Sequence, residues 1–109
     1  MVVVLFIIIS CYAILTYRRN LIWKDEFTLW NDVIHKSPKK ARPYSNRGVT
    51  YDEQGNFTQA FSDYNKAIEI NPNYADAYNN RGNAYNDQGN IQQAFSDYNK
   101  AIEINPNHA

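Results

Sequence analysis

The stretch Gln59-Ala-Phe-Ser-Asp-Tyr-Asn-Lys-Ala-Ile-Glu-Ile-Asn-Pro-Asn73 occurs a second time, unchanged, at residues 93–107. The similarity extends on both sides, because residues 41–74 and 75–108 are identical at 24 of 34 aligned positions. A repeat of this length is typical of paired helices that cannot bury their own apolar faces and must stack on neighbouring pairs. The sequence therefore predicts an all-α solenoid that contains two full units.

Turn signals divide each unit into two helices. Gly55-Asn56 and Gly89-Asn90 are typical of a helix stop followed by a turn. Asn71-Pro72 and Asn105-Pro106 close the units, because proline cannot continue a helix and disfavours helical geometry in the residue before it. The predicted helices are 42–54, 57–70, 76–88 and 91–104.

The side chains within each unit resemble those of the tetratricopeptide repeat family. The first unit matches at Tyr44, Gly48, Tyr51, Gly55, Ala60, Tyr64, Ala67 and Pro72, and the second matches at the same eight places. The resemblance implies a right-handed solenoid whose first helices line a concave groove. Arg47 and Arg81 depart from the pattern, which usually has leucine there. We expect their alkyl stems to cover apolar surface while each guanidinium reaches water.

A degenerate half unit precedes the two full units. Residues 28–38 align with residues 62–72 at the same offset of 34, so that Trp30 stands for Tyr64 and Pro38 for Pro72. The alignment predicts a helix over about 25–36 that packs on the first full unit. We thus divide the chain into an anchor (1–23), a half repeat (24–40) and two repeats (41–74 and 75–108).

The N-terminal segment has the composition of a membrane helix. Residues 1–17 carry no charge and are followed by Arg18 and Arg19. A spanning helix needs roughly 20 apolar residues, and Trp23 suits the interfacial end of such a helix. We expect residues 2–23 to contact membrane lipid as a single-pass anchor, with a signal sequence and a buried core helix as alternatives. The positive-inside rule favours a cytoplasmic repeat domain, but the junction described below implies the opposite side, so the side stays open.

Composition argues against several classes of function. The 11 basic and 11 acidic residues cancel, whereas a nucleic-acid binder needs a strong basic excess. One cysteine and two distant histidines offer no metal site, and we expect no cofactor. No catalytic constellation is present, so we do not expect an enzyme. Asp63 and Asp97 occupy equivalent positions in the two units, as expected of solvated helix faces.

The candidate binding residues lie on the first helix of each unit. Asn46 and Asn80 are repeat-equivalent, and at the matching place the related O-linked N-acetylglucosamine transferase has an asparagine ladder that holds a peptide backbone. An amide suits that task because it both donates and accepts hydrogen bonds. The alternative is an ordinary solvated polar face. The other predicted groove residues are Ser45, Asp52, Asn79, Asn83 and Asn86. Ser45 and Val49 stand where chaperone-binding relatives begin their carboxylate clamp, so chaperone-tail binding is disfavoured.

Two further surfaces are predicted. Asn56-Phe57-Thr58 is a glycosylation sequon on an exposed turn, although Asn56 already has a structural reason to be in that turn. The last helix should expose a face on which another repeat, or a second copy of the chain, can stack. The residues of this self-association face are Ala94, Phe95, Tyr98 and Ile102.

The N-terminal junction carries a second resemblance. The stretch Tyr17-Arg-Arg-Asn-Leu-Ile-Trp-Lys-Asp-Glu-Phe-Thr-Leu-Trp30 is similar to the point where membrane mannosyltransferase-like proteins pass from their last membrane helix into tetratricopeptide repeats. Three functions follow. The first is a membrane-anchored scaffold that binds a peptide or partner helix in its groove. The second is the accessory tail of a membrane glycosyltransferase. The third is a self-assembling repeat protein.

Overall fold

In a computed structural model that describes residues 2–107, the chain forms five α-helices and no strand. They are α1 (Val2–Lys36), α2 (Ala41–Glu53), α3 (Phe57–Ile70), α4 (Ala75–Gln88) and α5 (Ile91–Ile104). Each end of α2 to α5 lies within one residue of its predicted position. Two of the predicted segment boundaries, residues 1 and 108, lie outside the described residues. The all-α solenoid expected from the repeat is confirmed.

Helix α1 joins the predicted anchor and the predicted half repeat without a break. Its apolar N-terminal side chains are exposed throughout, and by length and composition the helix is able to cross a membrane. Its C-terminal part packs on α2, where the rings of Phe27 and Tyr51 lie 4.6 Å apart between centroids. Phe61 and Tyr85 repeat this contact at 4.5 Å between α3 and α4. The end of α1 therefore packs on α2 through the same kind of ring contact by which α3 packs on α4.

The helix ends follow the turn signals. Gly55 and Gly89 have φ values of 81° and 89°, a left-handed conformation that glycine adopts without strain. The next residues, Asn56 and Asn90, cap α3 and α5, because each side-chain oxygen accepts a hydrogen bond at 3.3 Å from the backbone N–H three residues later. The two turns are thus built alike.

Close helix contact depends on two glycines. A Cβ added at Gly48 would lie 2.6 Å from Cε1 of Tyr64, and one at Gly82 would lie 2.7 Å from Cε1 of Tyr98. Each tyrosine ring therefore lies directly on the glycine of the preceding helix. Between the repeats, a small core forms around Ala60, Tyr64 and Ala84, all of which are fully buried.

The helices form an inner and an outer layer. The inner helices α2 and α4 pack directly on one another, whereas α1, α3 and α5 have no such direct packing among residues 2–107. Helices that approach on one side and diverge on the other give a curved stack, whose concave face belongs to α2 and α4.

A buried ion pair recurs at each repeat. Arg47 donates two hydrogen bonds of 2.7 Å to the carboxylate of Asp63, and Arg81 does the same to Asp97 at 2.8 and 2.7 Å. These hydrogen bonds raise the pKa of both arginines above the ordinary value. Asp63 and Asp97 are only 5% and 4% exposed. The expectation of solvated carboxylates was therefore wrong at these positions, because each arginine folds back onto the outer helix.

The same arginines also link successive repeats. The remaining guanidinium nitrogen of Arg47, Nη1, donates to Asn31 of α1 at 2.9 Å, and Nη1 of Arg81 donates to the repeat-equivalent Asn65 of α3 at 2.8 Å. Each arginine thus connects the outer helix of its own unit with the outer helix of the preceding unit.

Candidate peptide-binding groove

The concave face presents side chains from α2 and α4. Asn83 and Asn86 are exposed on α4, and Asn46 is half-buried on α2. Because α2 and α4 are neighbours in the inner layer, both helices contribute side chains to the concave face. That the three amides bind one ligand stays a prediction.

Ser45 and Asn80 have a different role from the one predicted. The Asn80 amide donates a 3.0 Å hydrogen bond to the Ser45 hydroxyl, which links α4 to α2. Ser45 is fully buried, so it cannot line an open groove. Its inclusion among the groove residues was therefore wrong, because Ser45 lies at the packed seam between the inner helices. Asn79, its equivalent on α4, is half-buried on the side where a following inner helix would pack.

Asn46 lies in a cleft between α1 and α2. The cleft has a volume of about 390 Å³ and is lined by Glu26, Leu29, Trp30, Asn46, Val49, Thr50 and Glu53. No inner helix precedes α2 among the described residues, so the Asn46 amide has no counterpart of the Asn80–Ser45 hydrogen bond. The two repeat-equivalent asparagines are therefore not equivalent in structure. The Asn46 side chain makes no hydrogen bond among residues 2–107.

A carboxyl pair bridges the C-terminal ends of α2 and α4. Burial, followed by a hydrogen bond and repulsion from Asp87, raises the pKa of Asp52 to about 6. Burial and repulsion from Glu26 also raise the pKa of Glu53. Sequence analysis selected Asp52 but missed Asp87 and Glu53, because repeat equivalence does not show which positions of successive units meet.

The hydroxyl groups of two repeat-equivalent tyrosines have different surroundings. Tyr98 donates a 2.6 Å hydrogen bond to the side-chain oxygen of Asn83. The residue equivalent to Asn83 in the first repeat is Val49, which offers no acceptor. The Tyr64 hydroxyl is buried and has no hydrogen-bond partner among residues 2–107. This difference was readable from the sequence, since Val49 and Asn83 break the repeat.

Comparison with known proteins agrees with this geometry. The tetratricopeptide repeat model matches residues 75–108, and a TPR repeat model matches residues 51–89. The chain belongs to the tetratricopeptide repeat family. It is similar to the Drosophila melanogaster protein O-mannosyl-transferase Tmtc3, with 32% identity over 54 residues. That match covers 50% of the chain but only 6% of Tmtc3, so the chain is far shorter than this curated relative.

Solved tetratricopeptide structures have the same fold. The first TPR of Spaghetti (RPAP3), bound to the HSP90 peptide SRMEEVD, has a TM-score of 0.73 and 26% identity, with 85% of this chain and 74% of that chain covered. The structure of MamA has a TM-score of 0.67 and 27% identity, with 80% of this chain and 53% of that chain covered. One of these tetratricopeptide structures thus holds a bound peptide.

The remaining candidate residues of the tetratricopeptide stack lie away from the groove. Asn56 is exposed, and its side-chain oxygen caps α3. Among residues 2–107, no hydrogen bond engages its side-chain nitrogen, the atom that glycosylation would modify. At the end of the stack, Phe95 and Ile102 are 63% and 53% exposed. Tyr98 is half-buried, but Ala94 is only 2% exposed. Including Ala94 in the open face was wrong, because this residue packs against Gly82 within its own repeat.

Proposed function

We propose that this chain is a membrane-anchored tetratricopeptide interaction module that binds an extended peptide or a partner helix on its concave face. The tetratricopeptide repeat is generally a non-catalytic interaction module. The observation that carries the proposal is the side-by-side packing of α2 and α4. On these helices, we expect the amides of Asn46, Asn83 and Asn86 to contact the ligand. The peptide bound to the Spaghetti structure supports this use of the fold.

Backbone recognition is the binding mode that best suits this surface. The Asn46 amide donates and accepts, so it can pair with a peptide group whatever side chain follows. Asn80 donates one hydrogen bond to Ser45, which fixes its orientation while leaving its oxygen available to a ligand. We therefore expect Asn46 and Asn80 to position the ligand backbone, and Asn83 and Asn86 to contact its side chains.

An acidic C-terminal peptide does not suit this groove. The clamp positions of chaperone-binding relatives hold Ser45 and Val49, neither of which is basic. Asp52, Glu53 and Asp87 add negative charge at the concave end of α2 and α4. We therefore propose a ligand class other than the HSP90 peptide seen on Spaghetti.

The groove is tested with the full chain in detergent micelles and an array of overlapping 15-residue peptides. Asn46→Ala and Asn80→Ala should each weaken the affinity for the bound peptides by about fivefold, which corresponds to the loss of one neutral hydrogen bond. Asn99→Ala is the matched control, because Asn99 is exposed on the outer helix α5. Equal effects of all three substitutions would contradict groove binding.

Membrane anchoring is supported by α1. Its N-terminal side chains are apolar and exposed, and the helix has the length and composition of a membrane span. The test is carbonate extraction of the full chain and of a variant lacking residues 1–20. Recovery of the full chain in the soluble fraction would contradict the anchor. A glycosylation shift that Asn56→Gln removes would assign the repeats to the lumenal side.

The similarity to Tmtc3 supports a second candidate function. In it, the repeats form the accessory tail of a membrane glycosyltransferase and present acceptor polypeptides to a catalytic part. The test is the reading frame upstream of Met1 in the genome. Membrane-helix sequence with a transferase catalytic part in that frame would support the accessory role, and its absence would contradict it.

Self-association is the third candidate, and the exposed end of α5 supports it through Phe95, Tyr98 and Ile102. A head-to-tail stack would need the outer side of α2, but α1 already covers that side through Phe27 and Asn31. The end of α5 is the open end of the described stack. We therefore propose that two copies meet through their α5 ends, an isologous contact that closes at a dimer.

A further inference from the structure

Two carboxyl groups from different repeats meet where the C-terminal ends of α2 and α4 lie side by side. Asp52 of α2 lies beside Asp87 of α4 and their charges repel, while neither ionised carboxylate has a proton to donate to the other. Asp52 is half-buried and Asp87 is exposed, and both lie on the inner helices whose packing forms the concave face. One oxygen of Asp52 is buried and has no hydrogen-bond partner among residues 2–107. The pair therefore lacks a donor.

A buried hydroxyl group provides an independent sign of a ligand at the same place. Tyr64 is fully buried, and its hydroxyl has no hydrogen-bond partner among residues 2–107. Among the charged groups around it, Asp52 and Asp87 act most strongly on this hydroxyl. The Tyr64 ring lies on Gly48 of α2 as the Tyr98 ring lies on Gly82 of α4, where the Tyr98 hydroxyl donates to Asn83. Leaving a buried polar group unpaired costs about 1–3 kcal/mol, which favours a partner from outside the chain.

The charges around this cluster point to a cation. Glu53 lies beside Asp52, and Glu26 of α1 lies beside Glu53. No salt bridge among residues 2–107 involves Asp52 or Asp87, although both Asp63 and Asp97 have arginine partners. Like charges in contact repel, and an added positive charge would relieve that repulsion.

We propose that Asp52, Asp87 and the Tyr64 hydroxyl form a subsite for a lysine or arginine side chain of a polypeptide bound along the concave face. This proposal rests on the groove function proposed above and names the chemistry of its ligand. An ammonium carries three donors and a guanidinium carries five, whereas the three side chains supply oxygen acceptors. Charge-assisted hydrogen bonds to carboxylates are stronger than neutral ones, so this subsite would select basic side chains.

The subsite is tested without a peptide by carboxyl ¹³C NMR of the full chain in detergent, labelled at aspartate. Methylguanidinium is the probe, and N-methylurea at the same ionic strength is the uncharged control. We expect a saturable shift of the Asp52 and Asp87 signals with methylguanidinium alone. Asp87→Asn should weaken that binding by about tenfold, and Tyr64→Phe by about threefold. Asp32→Asn on the exposed side of α1 is the control. The subsite would be overturned if the shifts of the Asp52 and Asp87 carboxyl signals did not saturate, or if the Asp32 signal shifted equally.

A second measurement separates this proposal from groove binding itself. Blocked 15-residue peptides that contain one lysine are compared with the same peptides carrying acetyl-lysine, which is neutral. The full chain should prefer the lysine peptides by about tenfold, and Asp52→Asn should remove the preference. Equal binding of both sets, still sensitive to Asn46→Ala, would overturn the subsite and leave the groove function standing. Saturable methylguanidinium binding without any peptide binding would overturn the groove function and, with it, the assignment of the ligand to a polypeptide.

Discussion

Arg47 and Asp63 form a bidentate ion pair, with two hydrogen bonds of 2.7 Å, across the contact between α2 and α3. The arginine side chain is 22% exposed and the aspartate side chain is 6% exposed. The pair is therefore asymmetric: without its partner, the arginine can reach water and Asn31, but the carboxylate cannot leave the interior.

This asymmetry predicts unequal costs for the two single substitutions. Arg47→Leu leaves a buried unpaired carboxylate and should reduce the free energy of unfolding by about 3–5 kcal/mol. Asp63→Ala should cost about 1–2 kcal/mol, because the guanidinium retains Asn31 and solvent. Urea denaturation measures both. The control is Lys66→Ala, which removes an exposed pair with Glu69 at 3.7 Å and should change stability by less than about 1 kcal/mol. An Arg47→Leu effect no larger than the control would contradict the role of the buried pair.

The two interface glycines predict a difference between the repeats. Gly48→Ala should destabilise the chain by about 1–3 kcal/mol, because the new Cβ would overlap the fully buried Tyr64 ring. Gly82→Ala should cost less, since Tyr98 lies at the open end of the stack and its ring can shift. The higher helix propensity of alanine, about 1 kcal/mol, offsets part of each cost. Thermal unfolding in the same detergent compares them, and a larger loss at Gly82 would contradict this account.

Acid stability should depend on Asp52. Its pKa is raised from 3.8 to about 6, so the folded state binds more protons than the unfolded state between these values. The contribution of Asp52 to the free energy of unfolding is therefore present at low pH and is lost as the pH rises through about 6. The groups around it, one or more from each packed helix, are Glu26, Glu53, Tyr64, Asp87 and Tyr98.

The measurement is urea denaturation of wild type and Asp52→Asn from pH 4 to pH 8. From pH 4 to pH 8, the free energy of unfolding of the variant should rise by about 1 kcal/mol relative to that of the wild type. This figure is reduced for the partial exposure of Asp52. Asp32→Asn, which removes an exposed i,i+4 contact with Lys36, should show no such trend. A constant difference between Asp52→Asn and wild type at every pH would rule out this titration.

The open end of the stack predicts a dimer. Phe95 is 63% exposed, and burying such a side chain contributes about 1.5–3 kcal/mol. Full-length chain in detergent should therefore sediment as a dimer at high concentration, and Phe95→Glu or Tyr98→Lys should yield monomers. Ser96→Glu is the control, because Ser96 is exposed on a different side of α5. A wild type that is monomeric at all concentrations would refute the contact.

Short-range features of this chain were predictable because local physics decides them. Gly55, Asn56 and Pro72 end or begin helices through their own backbone preferences, and the structure places the helix ends within one residue of the predicted positions. The contact between a glycine and a tyrosine occurs in both units, as expected when two units share the same residues.

The groove, in contrast, was decided by tertiary packing. The stacking of one unit on the next placed Ser45 in a closed seam and brought Asp52 into contact with Asp87, which does not occupy the equivalent position. The contact of Arg47 with Asp63 likewise could not be predicted from the sequence, because it depends on the distance between α2 and α3. A repeat period shows which residues share an environment within their units. The rotation and translation between units decide which residues of neighbouring units meet, and these depend on the sum of many side-chain contacts across the stack.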